Sequence, residues 1–338
     1  MRVSSGKEKM EKQLKKSFTL LELIVVIVVL ALISMGSFKA IEMLYERYYQ
    51  ANVITKFTIL SQTTLDEIST ILYYRVPLTA IGYNPENGDF KQLEDVDSDN
   101  YSIFEWIYGG FDAKKHFGID KGLGFSNFID LDASNRDTLT LVAKDFNITD
   151  INDTMNAVFN NSWDLNKTTA IIFAGNLDQG ETSEDYNNSF GWHGHKHNKV
   201  FLIKKVKQVG NDANLTMNDS IKGNRVYAKY YLVVNANAIA RGADVDKSAE
   251  CLKNYKIDDN TLLLFYNYRP WNNETFCADK HINNSETKEG NVSILAQDVT
   301  AFRVRSVNYH IELKIQFSKP IFRDNDRNIT ITKQKVTF

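Results

Sequence analysis

The sequence lacks the short motifs that identify the common classes of enzyme. It contains no GxSxG, HExxH, GxxxxGK[ST] or CxxC pattern, and its six histidines form no obvious triad. We therefore predict that the chain is not an enzyme and expect no cofactor. Because a triad need not be close in sequence, catalysis remains an alternative that spacing alone does not remove.

Cysteine is equally scarce. Only Cys251 and Cys277 occur, far from the N-terminus and without metal-binding spacing. If this part of the chain is exported, a single disulfide is the natural expectation. Two unrelated buried thiols are the alternative.

The chain has no large excess of charge of either sign. Its net charge is -2, but residues 1–16 carry six basic residues against two acidic ones, so the remainder is acidic. An acidic body gives no firm nucleic-acid signal, because such binding depends on basic side chains. We interpret the local strip of Lys204, Lys205 and Lys207 as a solvated strand edge.

One long apolar run is present, at residues 18–35, and Glu22 is its only ionisable group. An α-helix of this length just crosses the hydrocarbon of a bilayer, and the basic flank before it predicts a cytoplasmic N-terminus. A carboxylate inside a membrane costs about 2.5–3.5 kcal/mol on insertion scales, so Glu22 needs a partner. A cleaved secretory signal is not expected to carry such a residue.

The segment KKSFTLLELIVVIVVLAL resembles the N-terminal motif of type IV prepilins and type II secretion pseudopilins. The resemblance implies cleavage by a prepilin peptidase between Ser17 and Phe18, followed by methylation of the new amine. It also implies that Glu22 neutralises the terminal ammonium of a neighbouring subunit during assembly. Ser17 stands where the family usually has glycine, and an uncleaved signal anchor is the alternative.

The helix is predicted to continue well beyond the membrane. Residues 38–76 contain neither proline nor glycine, carry apolar residues at near-helical spacing, and are followed by Pro77. We predict a leader at residues 1–17, a membrane-spanning and filament-core helix at 18–37, its amphipathic continuation at 38–76, and an exported head at 77–338. A coiled coil is the alternative for the continuation.

The head is predicted to be rich in antiparallel β-sheet, which gives an α+β fold of the pilin type. Short apolar runs separated by Asn, Asp and Gly predict strands, and no helical crossovers lie between them. The predicted strands are Thr138–Val142, Ala170–Ala174, Lys199–Val206, Val226–Val234, Thr261–Tyr268, Val299–Val307 and His310–Phe317. Acidic stretches at residues 95–100 and 130–137 are predicted loops. Residues 294–317 resemble the C-terminal part of J-type pseudopilins and W-type minor pilins.

Two further patterns concern possible modification or metal binding. His193, His195 and His197 would share one face of an extended strand, which permits a metal, but adventitious or absent binding is the preferred interpretation. Asn-x-Ser/Thr occurs twelve times, and in seven cases an acidic residue precedes the asparagine by two positions. This resembles the acidic sequon of bacterial oligosaccharyltransferases, although Asp and Asn also co-occur in turns. The seven candidate sites are Asn147, Asn152, Asn166, Asn187, Asn214, Asn291 and Asn328.

Together these features predict a minor pilin or pseudopilin near the tip of a filament. The expected location is the bacterial inner membrane, with a single span, a cytoplasmic N-terminus and a periplasmic head. Expected partners are the prepilin peptidase, other pilin or pseudopilin subunits, the inner-membrane assembly platform and membrane lipid. An adhesin or DNA-uptake pilin is the alternative, and a tethered periplasmic enzyme or ligand-binding protein is less favoured.

Overall fold

The computed structural model of the protein describes residues 19–110, 124–135, 137–158, 163–177, 182–282, 286–307, 310–321 and 324–337. The helices are α1 (Leu20–Tyr73), α2 (Ile148–Val158) and α3 (Ser183–Asn187). The strands before the central one are β1 (Ile81–Tyr83), β2 (Phe90–Gln92), β3 (Ile103–Gly109), β4 (Ile129–Asn135), β5 (Thr140–Ala143), β6 (Ala170–Phe173), β7 (Phe201–Val209) and β8 (Asp212–Met217). The remaining strands are β9 (Tyr230–Arg241), β10 (Leu262–Tyr268), β11 (Glu274–Phe276), β12 (Thr287–Glu289), β13 (Asn291–Ala296), β14 (Val299–Val307), β15 (His310–Ile321) and β16 (Asp324–Thr337).

Helix α1 spans 54 residues, or about 81 Å at 1.5 Å per residue. It ends where the backbone N–H of Tyr74 bonds to the carbonyls of Ile71 and Leu72, three residues before Pro77. The helical continuation was predicted over residues 38–76, and α1 ends three residues before that bound. The predicted start at Phe18 lies outside the described residues.

The second half of α1 packs on a small three-stranded antiparallel sheet, ordered β14-β15-β16. Apolar and polar residues alternate along β15, so one face of the strand is buried against the helix and the other is not. Phe57 of α1 meets Phe317 of β15 with ring centroids 5.5 Å apart. Lys335 of β16 reaches across to Asp66 of α1 at 2.6 Å. These contacts hold the small sheet against the second half of α1.

A larger sheet forms the rest of the head, in the order β2-β1-β3-β9-β6-β7-β8-β5-β4. Strand β9 lies at its centre because its near-continuous apolar sequence can be buried on both faces. On one side β9 pairs with β3, and on the other it pairs first with β6 and then with β10. The sheet therefore divides beyond β9. Two apolar cores pack on its opposite faces, because Ala170 and Ile172 of β6 belong to one core and Ile171 and Phe173 belong to the other. The antiparallel pairing confirms the predicted α+β class.

The acidic stretch at residues 130–137 is not the loop that its composition predicts. Residues Ile129–Asn135 form strand β4, which is paired with β5 through Ile129 and Ala143. β4 pairs with no second strand in the described ranges, so its aspartates lie at a sheet edge in contact with solvent. An edge strand tolerates such residues, whereas a central strand does not.

Cys251 and Cys277 form a disulfide across a sequence separation of 26 residues, as expected from the sequence. Closing a loop of this length stabilises the fold by roughly 3 kcal/mol in the chain-entropy model. We expect reduction to lower the free energy of unfolding by about that amount, measured by urea unfolding of the detergent-solubilised chain with and without dithiothreitol. The double variant Cys251→Ala/Cys277→Ala is the control and should not respond to the reductant. Equal unfolding midpoints for oxidised and reduced wild-type protein would contradict the expectation.

Candidate functional site

The first half of α1 presents an unusually apolar surface. Between Leu20 and Met35 the large side chains are about half exposed or more, and an 18-residue window there has a mean hydropathy of 2.6 with none of its residues buried. The described part of the head begins to cover the helix only near Tyr49 and Val53. Soluble monomeric proteins rarely expose apolar patches of this size, so this surface requires a membrane or other subunits around it. By length and composition it is long enough to cross a bilayer.

Glu22 lies in the first turn of α1, within this apolar surface. Its carboxylate accepts hydrogen bonds from the backbone N–H of Thr19 at 3.0 Å and from the Thr19 hydroxyl at 3.1 Å. The Thr19 hydroxyl in turn accepts the backbone N–H of Glu22 at 3.3 Å, which completes a capping box. The two residues thus define where the helix starts. These neutral donors hold the carboxylate in place without balancing its charge.

The predicted cleavage site lies directly before this cap. Ser17 and Phe18 are outside the described residues, and so is the leader at residues 1–17. The sequence nevertheless fixes how many residues separate Phe18 from Glu22. A new amine on Phe18 would stand one residue before the Thr19 cap.

The three histidines are not brought together as a metal site, and the extended strand assumed for them is wrong. Residues Trp192–Gly194 form a 3-10 turn, in which His193 has φ 47°. Gly191 before it has φ 86°, and a Cβ at this position would lie 2.7 Å from the carbonyl oxygen of Pro270. The chain therefore turns here instead of extending.

Each histidine has its own contacts. His195 is exposed and packs edge-to-face on Phe90, with ring centroids 5.2 Å apart. His197 lies 3.2 Å from the carbonyl oxygen of Val200 through Nδ1. Across the described ranges no group of three or more His, Cys, Asp or Glu side chains is arranged to hold a metal ion.

His193 belongs to a buried ionic cluster that the sequence did not reveal. Its Nε2 is 2.8 Å from Oε1 of Glu105, and its Nδ1 is 3.6 Å from Oδ2 of Asp279. Tyr268 donates to the second oxygen of Glu105 at 2.6 Å, and Tyr83 donates to Asp279 at 2.8 Å. Glu105 and Asp279 are fully buried, so they need a cation between them.

The protonation of this cluster follows from its surroundings. Burial by itself would lower the pKa of His193, but the charge of Glu105 and the hydrogen bonds to Asp279 and Glu105 outweigh it and raise the pKa to about 10. Burial would raise the pKa of Asp279, and its bonds to His193 reverse this and hold it below the usual value. His193 is therefore an imidazolium at neutral pH. All three ionisable groups that pair in the cluster, His193, Glu105 and Asp279, are buried.

The seven candidate sequons occupy different kinds of structure. Asn147, Asn166, Asn291 and Asn328 are exposed. Asn152 lies in α2 and Asn187 in α3, where the backbone is helical. Asn214 lies in β8, which is paired with β5 and with β7. Exposure therefore favours the first four, and glycosylation stays a prediction for all seven.

Comparison with known proteins gives one match. Residues 12–38 match the family model of the prokaryotic N-terminal methylation motif. This range contains the last basic residues of the predicted leader, the predicted cleavage site at Ser17 and Phe18, and Glu22. It also contains the exposed apolar part of α1 between Leu20 and Met35, which we call the stem. No curated protein and no solved structure is significantly similar to the chain. The motif and the long apolar N-terminal helix fit the type IV pilin-like family.

Proposed function

We propose that the chain is a minor subunit of a type IV pilus or type II secretion pseudopilus, located near the filament tip and assembled through its N-terminal helix and Glu22. The observation that carries the proposal is the methylation motif at residues 12–38, which overlaps the start of α1, together with the lack of cover from the described part of the head over the first half of that helix. The motif implies a substrate of the prepilin peptidase and a chain that assembles with other pilin subunits. Membrane lipid covers the stem before assembly.

The minor position is supported by the size of the head. Residues 77–338 include a large divided sheet in addition to the three strands that cover α1. A head of this bulk fits where few copies are packed, whereas a helical array of many copies would bring such heads into collision. In this proposal the head faces the periplasm, because the basic flank at residues 1–16 stays in the cytoplasm. The inner-membrane assembly platform is then a further partner.

Processing provides the direct test. We expect the mature chain from its native host to begin at Phe18 and to carry one methyl group on its amine, measured by intact-mass and N-terminal peptide mass spectrometry. Ser17→Gly should be processed at least as completely, because a small residue still precedes the cut. Ser17→Leu should retain residues 1–17, because the side chain is bulky. Recovery of wild-type protein with its leader still attached would refute the pilin assignment.

A further inference from the structure

Strand β14 forms a free edge of the small sheet. In the ranges that the structure describes it pairs only with β15, so one of its two sides has no partner strand. In an antiparallel pair every second residue directs its N–H and C=O away from the partner. The outer side of β14 therefore offers a row of backbone donors and acceptors. Such an edge is a template for pairing with an added strand.

A groove of about 400 Å³ follows this edge. All six residues from Thr300 to Arg305 line it. Because side chains alternate between the two faces of a strand, a cleft over one face would be lined by every second residue. The groove therefore runs along the edge itself. Its other walls are formed mainly by residues between Val96 and Phe104, together with Gly82, Leu93 and Arg241.

Two backbone groups at the start of β14 are already bound from outside the small sheet. The backbone N–H of Val299 donates to the carbonyl oxygen of Asn260 at 2.8 Å. The carbonyl oxygen of Thr300 accepts a hydrogen bond from the guanidinium of Arg241 at 2.9 Å. Both contacts lie at the register shift between Val299 and Ala301, and in the described part of the chain no bond from outside the small sheet reaches the backbone of residues 301–305.

The charges that line the groove favour an acidic occupant. Arg303 on β14 forms an ion pair with Asp99 on the opposite wall, and the two side chains are 41% and 62% exposed. Exposed pairs of this kind contribute little, so Asp99 is readily displaced. Asp97 is held by Lys91 at 3.0 Å. Arg305 is exposed and forms no ion pair within the described residues.

We propose that the β14 groove, defined by residues 300–305 and 96–104, receives an extended acidic segment of another polypeptide, which adds to β14 as a further strand. Backbone hydrogen bonds to the edge hold the segment, and its carboxylates meet Arg303 and Arg305 in place of Asp99. Strand addition of this kind derives affinity from the backbone and specificity from alternate side chains.

The spacing of the two arginines along β14 defines the sequence pattern that the bound segment needs. Arg303 and Arg305 are two positions apart on β14, so they lie on the same face about 7 Å apart along the strand. The segment that fits them has acidic residues at every second position. It needs a free backbone N–H on the side that faces β14.

The test uses the full chain in detergent and short fluorescent peptides of alternating threonine and aspartate, with binding followed by fluorescence anisotropy. A matched peptide with asparagine in place of aspartate tests the charge. A second matched peptide, with the aspartates kept but alternate amides N-methylated, tests the backbone pairing. We expect the acidic peptide to bind about tenfold more tightly than either control, a difference of about 1.4 kcal/mol.

Three variants are expected to change binding of the acidic peptide in different ways. Arg303→Ala/Arg305→Ala should weaken binding of the acidic peptide about tenfold, because both cations are lost. Asp99→Asn should tighten it several-fold, since the competing carboxylate is removed. Lys314→Ala, on β15 opposite Arg303 but outside the groove, is the matched control and should bind as the wild type does.

Two results would overturn the proposal. One is equal binding of the acidic and N-methylated peptides, since the interaction would then be attraction to the arginines without strand addition. The other is self-association of the free chain that is abolished by the arginine variant, since the groove would then be occupied by a second copy. Neither result would affect the processing test for the pilin-like subunit.

Discussion

Glu22→Gln is expected to reduce incorporation of the chain into filaments at least about tenfold, because in the proposed assembly it removes the charge that pairs with the amine of a neighbouring subunit. The substitution keeps an oxygen that accepts the Thr19 N–H, so the start of α1 is preserved. It also lowers the cost of placing this position in lipid. Membrane insertion should therefore be unaffected or improved while assembly fails. The measurement is the amount of variant recovered in sheared or co-purified filaments, relative to its amount in the membrane.

A matched control separates charge at this position from charge on the helix in general. Glu67 is exposed on the same helix, beyond the apolar stem, and Glu67→Gln should incorporate as the wild type does. Coupling energies measured for close charge pairs at protein interfaces run from about 1.5 to 7 kcal/mol, so a loss of less than tenfold is not expected. Normal filament incorporation of Glu22→Gln would show that assembly does not use this carboxylate.

The expected effect depends on how Glu22 is placed in the unassembled chain. The Thr19 cap satisfies its hydrogen bonds but adds no positive charge. In the proposed assembly the energy gained at Glu22 is therefore electrostatic, and its size rises as water is excluded around the stem. Thr19→Val removes the hydroxyl and leaves the carboxylate. It should therefore reduce incorporation much less than Glu22→Gln.

Elements with strong local periodicity were predictable from the sequence. The end of α1 follows from an uninterrupted helical pattern before Pro77, and β14 was predicted with its observed bounds, Val299–Val307. Strict alternation along β15 fixed its buried face in the same way. Along β15 the period of the apolar residues and the burial of the strand agree, because one face packs on α1.

The features that the sequence did not predict correctly have a different physical origin. β4 was predicted as a loop because its aspartates suggest a turn, and pairing with β5 overrides that preference at a sheet edge. The turn at His193 depends on Gly191, whose φ of 86° is not evident from composition. The division of the sheet beyond β9 depends on which distant strands pair. Such pairing is a tertiary property, and local pattern does not determine it.

The buried ion cluster illustrates the same limit. Glu105 and His193 are 88 positions apart, so no spacing rule joins them. A signal was nevertheless present: Glu105 is the one charged residue within the apolar strand IFEWIYG. A carboxylate in a fully buried strand requires a cation, and the sequence could have indicated that one exists without indicating which residue provides it.

His193→Phe is expected to lower the free energy of unfolding by about 3–5 kcal/mol, because it leaves Glu105 and Asp279 buried without their cation. His195→Phe is the matched control, since His195 is exposed two positions away, and it should change stability by less than about 0.5 kcal/mol. Both are measured by urea unfolding of the full chain in detergent. Equal unfolding free energies for the two variants would contradict this role of the cluster.

The same pair of variants should respond differently to pH. The pKa of His193 is raised in the folded chain to about 10, above its ordinary value of 6.5. The protonated form is thus favoured by folding, so its contribution to stability is complete below pH 6.5 and is lost as the pH rises through 10. The stability gap between wild type and His193→Phe should shrink over that interval, by up to about 1.4 kcal/mol per pH unit. A gap that stays constant, or that widens as the pH rises, would mean that His193 is held neutral between its two carboxylates.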